Sequence, residues 1–214
     1  MLESRRVPYA DAPRLPELGT IEPRDFFDPR PERVELEIGP GRGGFLFERL
    51  AAEPSVCLLG LEIRRKWATI VDRRLRERGF GARARVFAED ARTVLSRIEP
   101  GSLSVVYLHF PDPWWKKRHQ KRLLVTSEFV SNVTRALRPG GELFIQTDVP
   151  ERARAYEHIL SLEPLLEPAP ADARTSDNPY AARSSREKRA LSDGLPVYRL
   201  RYVRRARAAV RSGE

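Results

Sequence analysis

From Val34 onward, apolar and polar positions follow two alternating periods. In Val34-Glu-Leu-Glu-Ile38 every second residue is apolar, which predicts a strand. The turn Gly39-Pro-Gly-Arg-Gly-Gly44 follows, then a run that predicts a helix from Phe45 to Ala52. Val56 to Leu61 reads as a second strand, with Cys57 as a small core residue. Trp67, Ile70, Val71 and Leu75 recur at helical spacing and predict an amphipathic helix from Arg65 to Arg78, ended by Gly79 and Gly81. Its other face is cationic: Arg64, Arg65, Lys66, Arg73, Arg74, Arg76 and Arg78. Arg83 to Ala88 and the more apolar Leu103 to His109 read as strands. Phe129, Val130, Val133, Ala136 and Leu137 form another helical stripe, closed by Pro139-Gly-Gly141. Glu142 to Thr147 predicts a strand, Pro150 to Leu162 a helix, and Pro196 to Val203 a last strand. Residues 168–188 are polar and Pro-rich and show no period.

Strands alternating with helices predict an α/β fold with a mainly parallel sheet. Ligands of such sheets bind outside the carboxyl ends of the strands. The chemically informative residues fall there: Gly39 to Gly44, Glu62, Asp90, Pro111 to Lys116, and Thr147-Asp148. Ahead of the pattern lie Pro8, Pro13, Pro16, Pro23, Pro29 and Pro31, which exclude a long helix or a central strand. Residues 1–32 are therefore expected to be an arm, lying on the domain or partly disordered, and residues 33–214 the domain itself.

Composition narrows the class. The 214 residues suffice for one domain with a substantial core. A single cysteine excludes an intramolecular disulfide. No apolar window approaches the roughly 20 residues of a membrane span, and no apolar run follows the charges at the start, so a cytoplasmic protein is expected. Thirty-nine Lys and Arg against thirty Asp and Glu leave a net charge of +9, which points to a polyanionic partner, nucleic acid first.

Gly39-x-Gly41-x-x-Gly44 matches a nucleotide-binding turn: the first two glycines allow close backbone approach, and the third lets helix and strand pack. Glu62 stands where a ribose-binding acid is expected. Such a loop serves NAD enzymes and S-adenosylmethionine enzymes alike. Glu37, just before the glycines, would repel a pyrophosphate but suits the cationic end of S-adenosylmethionine. The other reading of Glu37 is a polar residue sharing a solvated strand face with Glu35. Asp90, after the third strand, is placed to accept from an adenine amino group or to cap a helix.

Phe110-Pro-Asp-Pro-Trp-Trp-Lys-Lys-Arg-His-Gln-Lys-Arg122 is the most distinctive segment. Two prolines bracket Asp112 in a stiff loop. Trp114 and Trp115 beside Lys116, Lys117, Arg118, His119, Lys121 and Arg122 suit unpaired bases and phosphates. The alternative is that the tryptophans are core and the charges a solvated helix face.

The chain resembles bacterial tRNA (guanine-N7)-methyltransferases from Phe26 onward. The resemblance rests on Leu36-Glu-Ile-Gly39, Gly60-Leu-Glu62, Glu89-Asp90, Phe110-Pro-Asp-Pro-Trp114 with its basic run, Leu137-Arg-Pro-Gly-Gly141 and Thr147-Asp148. It implies a Rossmann-like class I methyltransferase fold: a mainly parallel seven-stranded sheet, one antiparallel C-terminal strand, and helices on both faces. It also implies S-adenosylmethionine as cofactor and tRNA as partner, with the guanosine at position 46 of the variable loop as acceptor. By motif, Glu37, Gly39, Gly41, Glu62, Asp90 and Asp112 are expected at the cofactor, with Asp112 also catalytic. Lys116, Asp148, Ser184 and Glu187 are expected at the substrate. Ser184-Ser-Arg-Glu187 departs from the family pattern, with Ser for Thr and Arg186 where an aromatic is usual, and Leu123 replaces an Arg of the basic run.

Two other readings compete: an NAD-dependent dehydrogenase, against which Glu37 argues, and a non-catalytic RNA-binding protein using Arg199, Arg201, Arg204, Arg205 and Arg207, against which the rim of carboxylates argues. His109, His119 and His158 are scattered and no metal site is expected. The expected state is a monomer or a homodimer, without a membrane partner.

Overall fold

The computed structural model describes residues 9–111, 123–169 and 177–206. Seven strands form one sheet: β1 (Val34–Ile38), β2 (Cys57–Leu61), β3 (Ala84–Phe87), β4 (Leu103–His109), β5 (Leu137–Thr147), β6 (Leu166–Pro168) and β7 (Tyr198–Arg204). Their order is β3-β2-β1-β4-β5-β7-β6. β1 to β5 pair in parallel, and β7 runs antiparallel to both β5 and β6. The strand order reverses at β1, which places the crevice between the carboxyl ends of β1 and β4.

Among the described residues six α-helices connect the strands: α1 (Gly44–Ala52), α2 (Arg65–Glu77), α3 (Ala91–Val94), α4 (Ser127–Ala136), α5 (Pro150–Ser161) and α6 (Ser185–Ser192). Two apolar clusters lie against the sheet. One joins Leu36, Leu59 and Val106 to Val94 of α3, Phe129 and Val133 of α4, and Tyr156 of α5. The other joins Leu58, Val86 and Tyr107 to Phe45 and Leu46 of α1 and Val71 and Leu75 of α2. The central strands are thus covered on both faces, and β1 is buried at all five positions. This overturns the reading of Glu35 and Glu37 as a solvated face: they are 5% and 2% exposed.

Three local expectations change. β5 begins at Leu137, so Pro139-Gly-Gly141 is drawn into the strand rather than closing a helix. The pairing slips between Leu103 and Val105 to accommodate it. A Cβ at Gly141 would stand 2.8 Å from the Arg138 carbonyl oxygen and 3.1 Å from that of Ser104, so only glycine fits there. The last residue of β6 and part of α6 lie in the stretch that shows no period, and the rest of β6 lies in residues given no element. β6 has three residues, too few to display one, and α6 buries only Glu187 and Ala190. The signal for α6 was its cap, because Ser184 Oγ accepts the Glu187 N–H at 3.1 Å.

The Pro-rich arm packs on the domain over its described length. Ala12, Leu15, Ile21 and Phe27 are buried. Ala88 N–H donates to the Pro13 carbonyl at 2.7 Å, and Ile21 bridges to Ile98.

Candidate active site

The turn after β1 is shaped by backbone that only glycine adopts readily: φ is 71° at Gly39, 56° at Gly41 and 80° at Gly43. Gly39 N–H donates to the Leu61 carbonyl at 2.8 Å, which fastens the turn to the end of β2. Glu62 closes it from the other side. Its Oε2 accepts the Gly41 N–H at 2.9 Å, and its Oε1 accepts the Arg64 N–H at 3.0 Å. One carboxylate therefore spans the loops after β1 and β2. At Gly44 a Cβ would stand 2.5 Å from Ser185 Oγ, so α6 packs directly on the start of α1.

Glu37 lies under this turn. Among the described residues its Oε2 has no hydrogen-bond partner, and its Oε1 is 4.0 Å from His109 Nε2. Burial, with the nearby Glu62 charge, pushes the Glu37 carboxyl up to about 8. A buried acid in that state lacks a cation, and a cationic ligand end would restore its charge. His109 ends β4 and is neutral, its imidazole lowered to about 4 by burial. Its Nδ1 is 2.7 Å from Gln146 Oε1 on β5.

Asp90 follows β3 and caps α3, accepting the Arg92 N–H at 3.0 Å and its guanidinium at 2.6 Å. The Arg92 hydrogen bond holds the Asp90 carboxyl below its ordinary range. Asp148 follows β5 and pairs with Arg186 of α6. Beyond β4 the backbone turns sharply: Phe110 has φ of 51° and its N–H donates to the Gln146 carbonyl at 2.8 Å. The chain thus leaves the carboxyl end of β4 at Phe110, held against the end of β5. Asp112, Trp114, Trp115, Lys116 and the basic run through Arg122 lie outside the described residues.

The sheet brings Glu37, Gly39, Gly41 and Glu62 together, with Asp90 and Asp148 at strand ends on the same rim. Ser184 and Glu187 are in different surroundings. Ser184 caps α6. Glu187 is fully buried, bonded to Arg199 at 2.9 Å and Asn178 at 3.0 Å. His109, Gln146 and Arg186 were not singled out from sequence for this rim. For the first two a signal existed, since each is a polar residue at the end of an apolar strand. Among the described residues no helix is long and apolar enough to cross a membrane, and no group of three or more His, Cys, Asp or Glu could hold a metal ion.

A family model described as "Putative methyltransferase" matches residues 31–200. A tRNA (guanine-N(7)-)-methyltransferase of Myxococcus xanthus is 36% identical over 174 residues, covering 81% of this chain and 84% of that one. The protein of that name from Anaeromyxobacter dehalogenans is 39% identical, covering 80% and 86%. That from Rhodopirellula baltica is 37% identical over 81% of this chain, which spans 66% of its length. Among solved structures, the 16S rRNA methyltransferase KamB superposes with a TM-score of 0.59 at 18% identity, covering 86% of this chain and 91% of that one. The 16S rRNA (adenine(1408)-N(1))-methyltransferase of Catenulisporales acidiphilia gives 0.57 at 19% identity, covering 91% and 98%. These two establish the fold alone, a Rossmann-like class I methyltransferase sheet. With the family match across the sheet and relatives of more than 30% identity over most of both chains, the chain belongs to the tRNA (guanine-N7)-methyltransferase family.

Proposed function

We propose that this protein transfers the methyl group of S-adenosylmethionine to N7 of a guanosine in tRNA, at position 46 of the variable loop. The observation that carries the reading is Glu37, a carboxylate buried beside the glycine turn with one oxygen lacking a partner among the described residues. A cationic ligand end answers that vacancy in charge, whereas a pyrophosphate would be repelled. The turn supports it as well, because a Cβ at Gly39 would meet nothing within 4 Å.

Glu37 would hold the amino end of the donor and Glu62 its ribose hydroxyls, with Gly39 and Gly41 offering backbone and Asp90 the base edge. Bound there, S-adenosylmethionine supplies an electrophilic methyl group on a sulfonium. Guanine N7 carries an in-plane lone pair and no proton, so the protein needs no general base to make it a nucleophile. The task of the chain is alignment. Methylation leaves positive charge on the base, and a carboxylate at the ring stabilises it. Asp112 takes that role, and Asp148, shared with Arg186, assists it. Lys116 and the cations after it hold RNA phosphate, and Ser184 and Glu187 support the substrate side.

The test is incubation with labelled donor and unmodified tRNA followed by nucleoside analysis. The expected product is 7-methylguanosine at position 46. Asp112→Ala is expected to fold normally by circular dichroism and to lose methyl-transfer rate in single turnover. A normal rate constant would remove Asp112 from the chemistry, and absence of product would overturn the proposal.

A further inference from the structure

We propose that Arg186 is a positioning residue for methyl transfer: its guanidinium, fixed by the seating of α6, sets where the Asp148 carboxylate stands at the guanine ring. The inference rests on the reading of Asp148 as a carboxylate beside the base.

The pair joins two elements that are held to one strand. Asp148 follows Thr147, the last residue of β5, which pairs with Tyr198 of β7. On its other side Val149 is the N-cap of α5, and its N–H donates to Thr147 Oγ1 at 3.2 Å. The backbone on both sides of Asp148 is thus pinned. Arg186 also lies between two anchored residues. Ser185 stands against Gly44, and Glu187 is bonded to Arg199 of β7. Arg199 is in turn the register partner of Gln146, two residues before Asp148. β7 therefore fixes both the end of β5 and the start of α6, and Arg186 Nη2 donates to Asp148 Oδ2 between them.

The helix itself gains nothing from this arginine. Arg186 is the second residue of α6, at the positive end of the helix dipole, where a cation is unfavourable. Nor is the pair an ordinary surface contact, because the Asp148 side chain is 11% exposed and that of Arg186 45%. A carboxylate so far buried needs a partner, and a planar guanidinium supplies one through a directed bond. Among the described residues only Oδ2 is taken, which leaves Oδ1 to face a ligand. Alignment is the task the reaction sets, and a small displacement of a group at the reacting ring costs rate.

The wild-type protein, Asp148→Ala, Arg186→Ala, Arg186→Lys and the double variant Asp148→Ala/Arg186→Ala are compared in single turnover, with S-adenosylmethionine and unmodified tRNA both saturating. Circular dichroism checks that each is folded at the assay temperature. Arg186→Ala is expected to lower the transfer rate about ten-fold, the scale of one hydrogen bond to a charged group. Arg186→Lys, which keeps a cation on a long stem, recovers most of it. The double variant is no slower than Asp148→Ala alone, because Arg186 acts through that carboxylate. Calorimetry with S-adenosylmethionine gives the wild-type affinity for Arg186→Ala, whereas an arginine that merely seated α6 on Gly44 would carry the glycine turn with it. The salt slope of tRNA binding also stays at the wild-type value, whereas loss of a phosphate contact would lower it by somewhat under one unit. A normal transfer rate in Arg186→Ala, separate losses that multiply in the double variant, weakened donor binding, or a lowered salt slope would each overturn the inference. An Asp148→Ala variant that transfers at the wild-type rate would instead overturn the reading of Asp148 itself.

Discussion

Glu187 and Arg199 form an ion pair at 2.9 Å with side chains 0% and 7% exposed. It ties α6 to β7, and Asn178 Nδ2 donates to the other Glu187 oxygen at 3.0 Å, drawing in the chain that precedes α6. The pair therefore seats Ser185 against Gly44, at the edge of the glycine turn.

Removing one partner of such a pair is costly because the other stays buried. Glu187→Ala is expected to lose about 3–5 kcal/mol in chemical denaturation. The double variant Glu187→Leu/Arg199→Met should recover much of that loss. If the single variant unfolds like the wild type, the pair is not an anchor.

Gly44→Ala tests the same contact from the other side. The new Cβ would meet Ser185 Oγ at 2.5 Å and Ser185 N at 3.1 Å, so α6 must shift. Overpacking of this kind costs roughly 1–3 kcal/mol. Thermal unfolding measures the loss, and a raised donor KM would report the displaced turn.

Glu37 makes donor binding depend on pH. Its carboxyl sits at about 8 in the free protein, so at pH 7 it is mostly protonated. A bound cation lowers that value, so binding at pH 7 releases up to about one proton and affinity rises with pH between about 6 and 8. His109 stays neutral throughout this window. Calorimetry in two buffers of different ionisation heat detects the release, and Glu37→Gln should abolish it. Equal heats in both buffers for the wild type would contradict the assignment.

Folding stability follows the same group with opposite sign. The folded value of about 8 lies above the ordinary 4.5, so the unfolded chain gives up its proton first. The Glu37 contribution is present below about pH 4.5 and is lost as pH rises towards 8. Glu37→Gln is therefore expected to be more stable than wild type above pH 8, by on the order of 1–3 kcal/mol, since water penetration and relaxation reduce the full cost of a buried charge. Unfolding curves at pH 5 and pH 9 decide it.

The basic run beside Asp112 predicts a salt signature. Each phosphate contact removed should lower the salt slope of tRNA binding by somewhat under one unit. Lys116→Ala should reduce the methylation rate as well as affinity, being nearest Asp112, whereas Lys121→Ala should act on affinity alone. If neither changes affinity or slope, the RNA docks elsewhere.

How much was legible in the sequence is clearest on β4. Leu103 to His109 was predicted as a strand and is one with those bounds, because an apolar run between a turn and a Pro-Asp-Pro segment leaves no room for a helix. The glycine turn and Glu62 were legible for a similar reason: positive φ demands glycine, and the acid stands at a strand end. These are short-range constraints written in neighbouring residues. α6 was harder, since its inward face carries Glu187 and only one apolar residue, Ala190. A helix docked through a buried charge leaves no apolar stripe.

By itself the sequence determined the alternation of strands and helices, the turn, and which residues stand at strand ends. It left two readings of Glu37 open, a cofactor contact or one of two polar residues, with Glu35, on a solvated strand face. Tertiary structure separates them. Glu35 meets Arg49 at 2.7 Å and the Tyr107 hydroxyl at 2.8 Å, and so becomes part of the core. Glu37 stands 4.0 Å from His109 and keeps one oxygen without a partner among the described residues. The residues that decide this are 14 positions away for Arg49 and 72 for both Tyr107 and His109. Local periodicity reaches only a few residues, so whether a buried carboxylate is neutralised within the fold or left for a ligand is settled only when distant strands and helices pack.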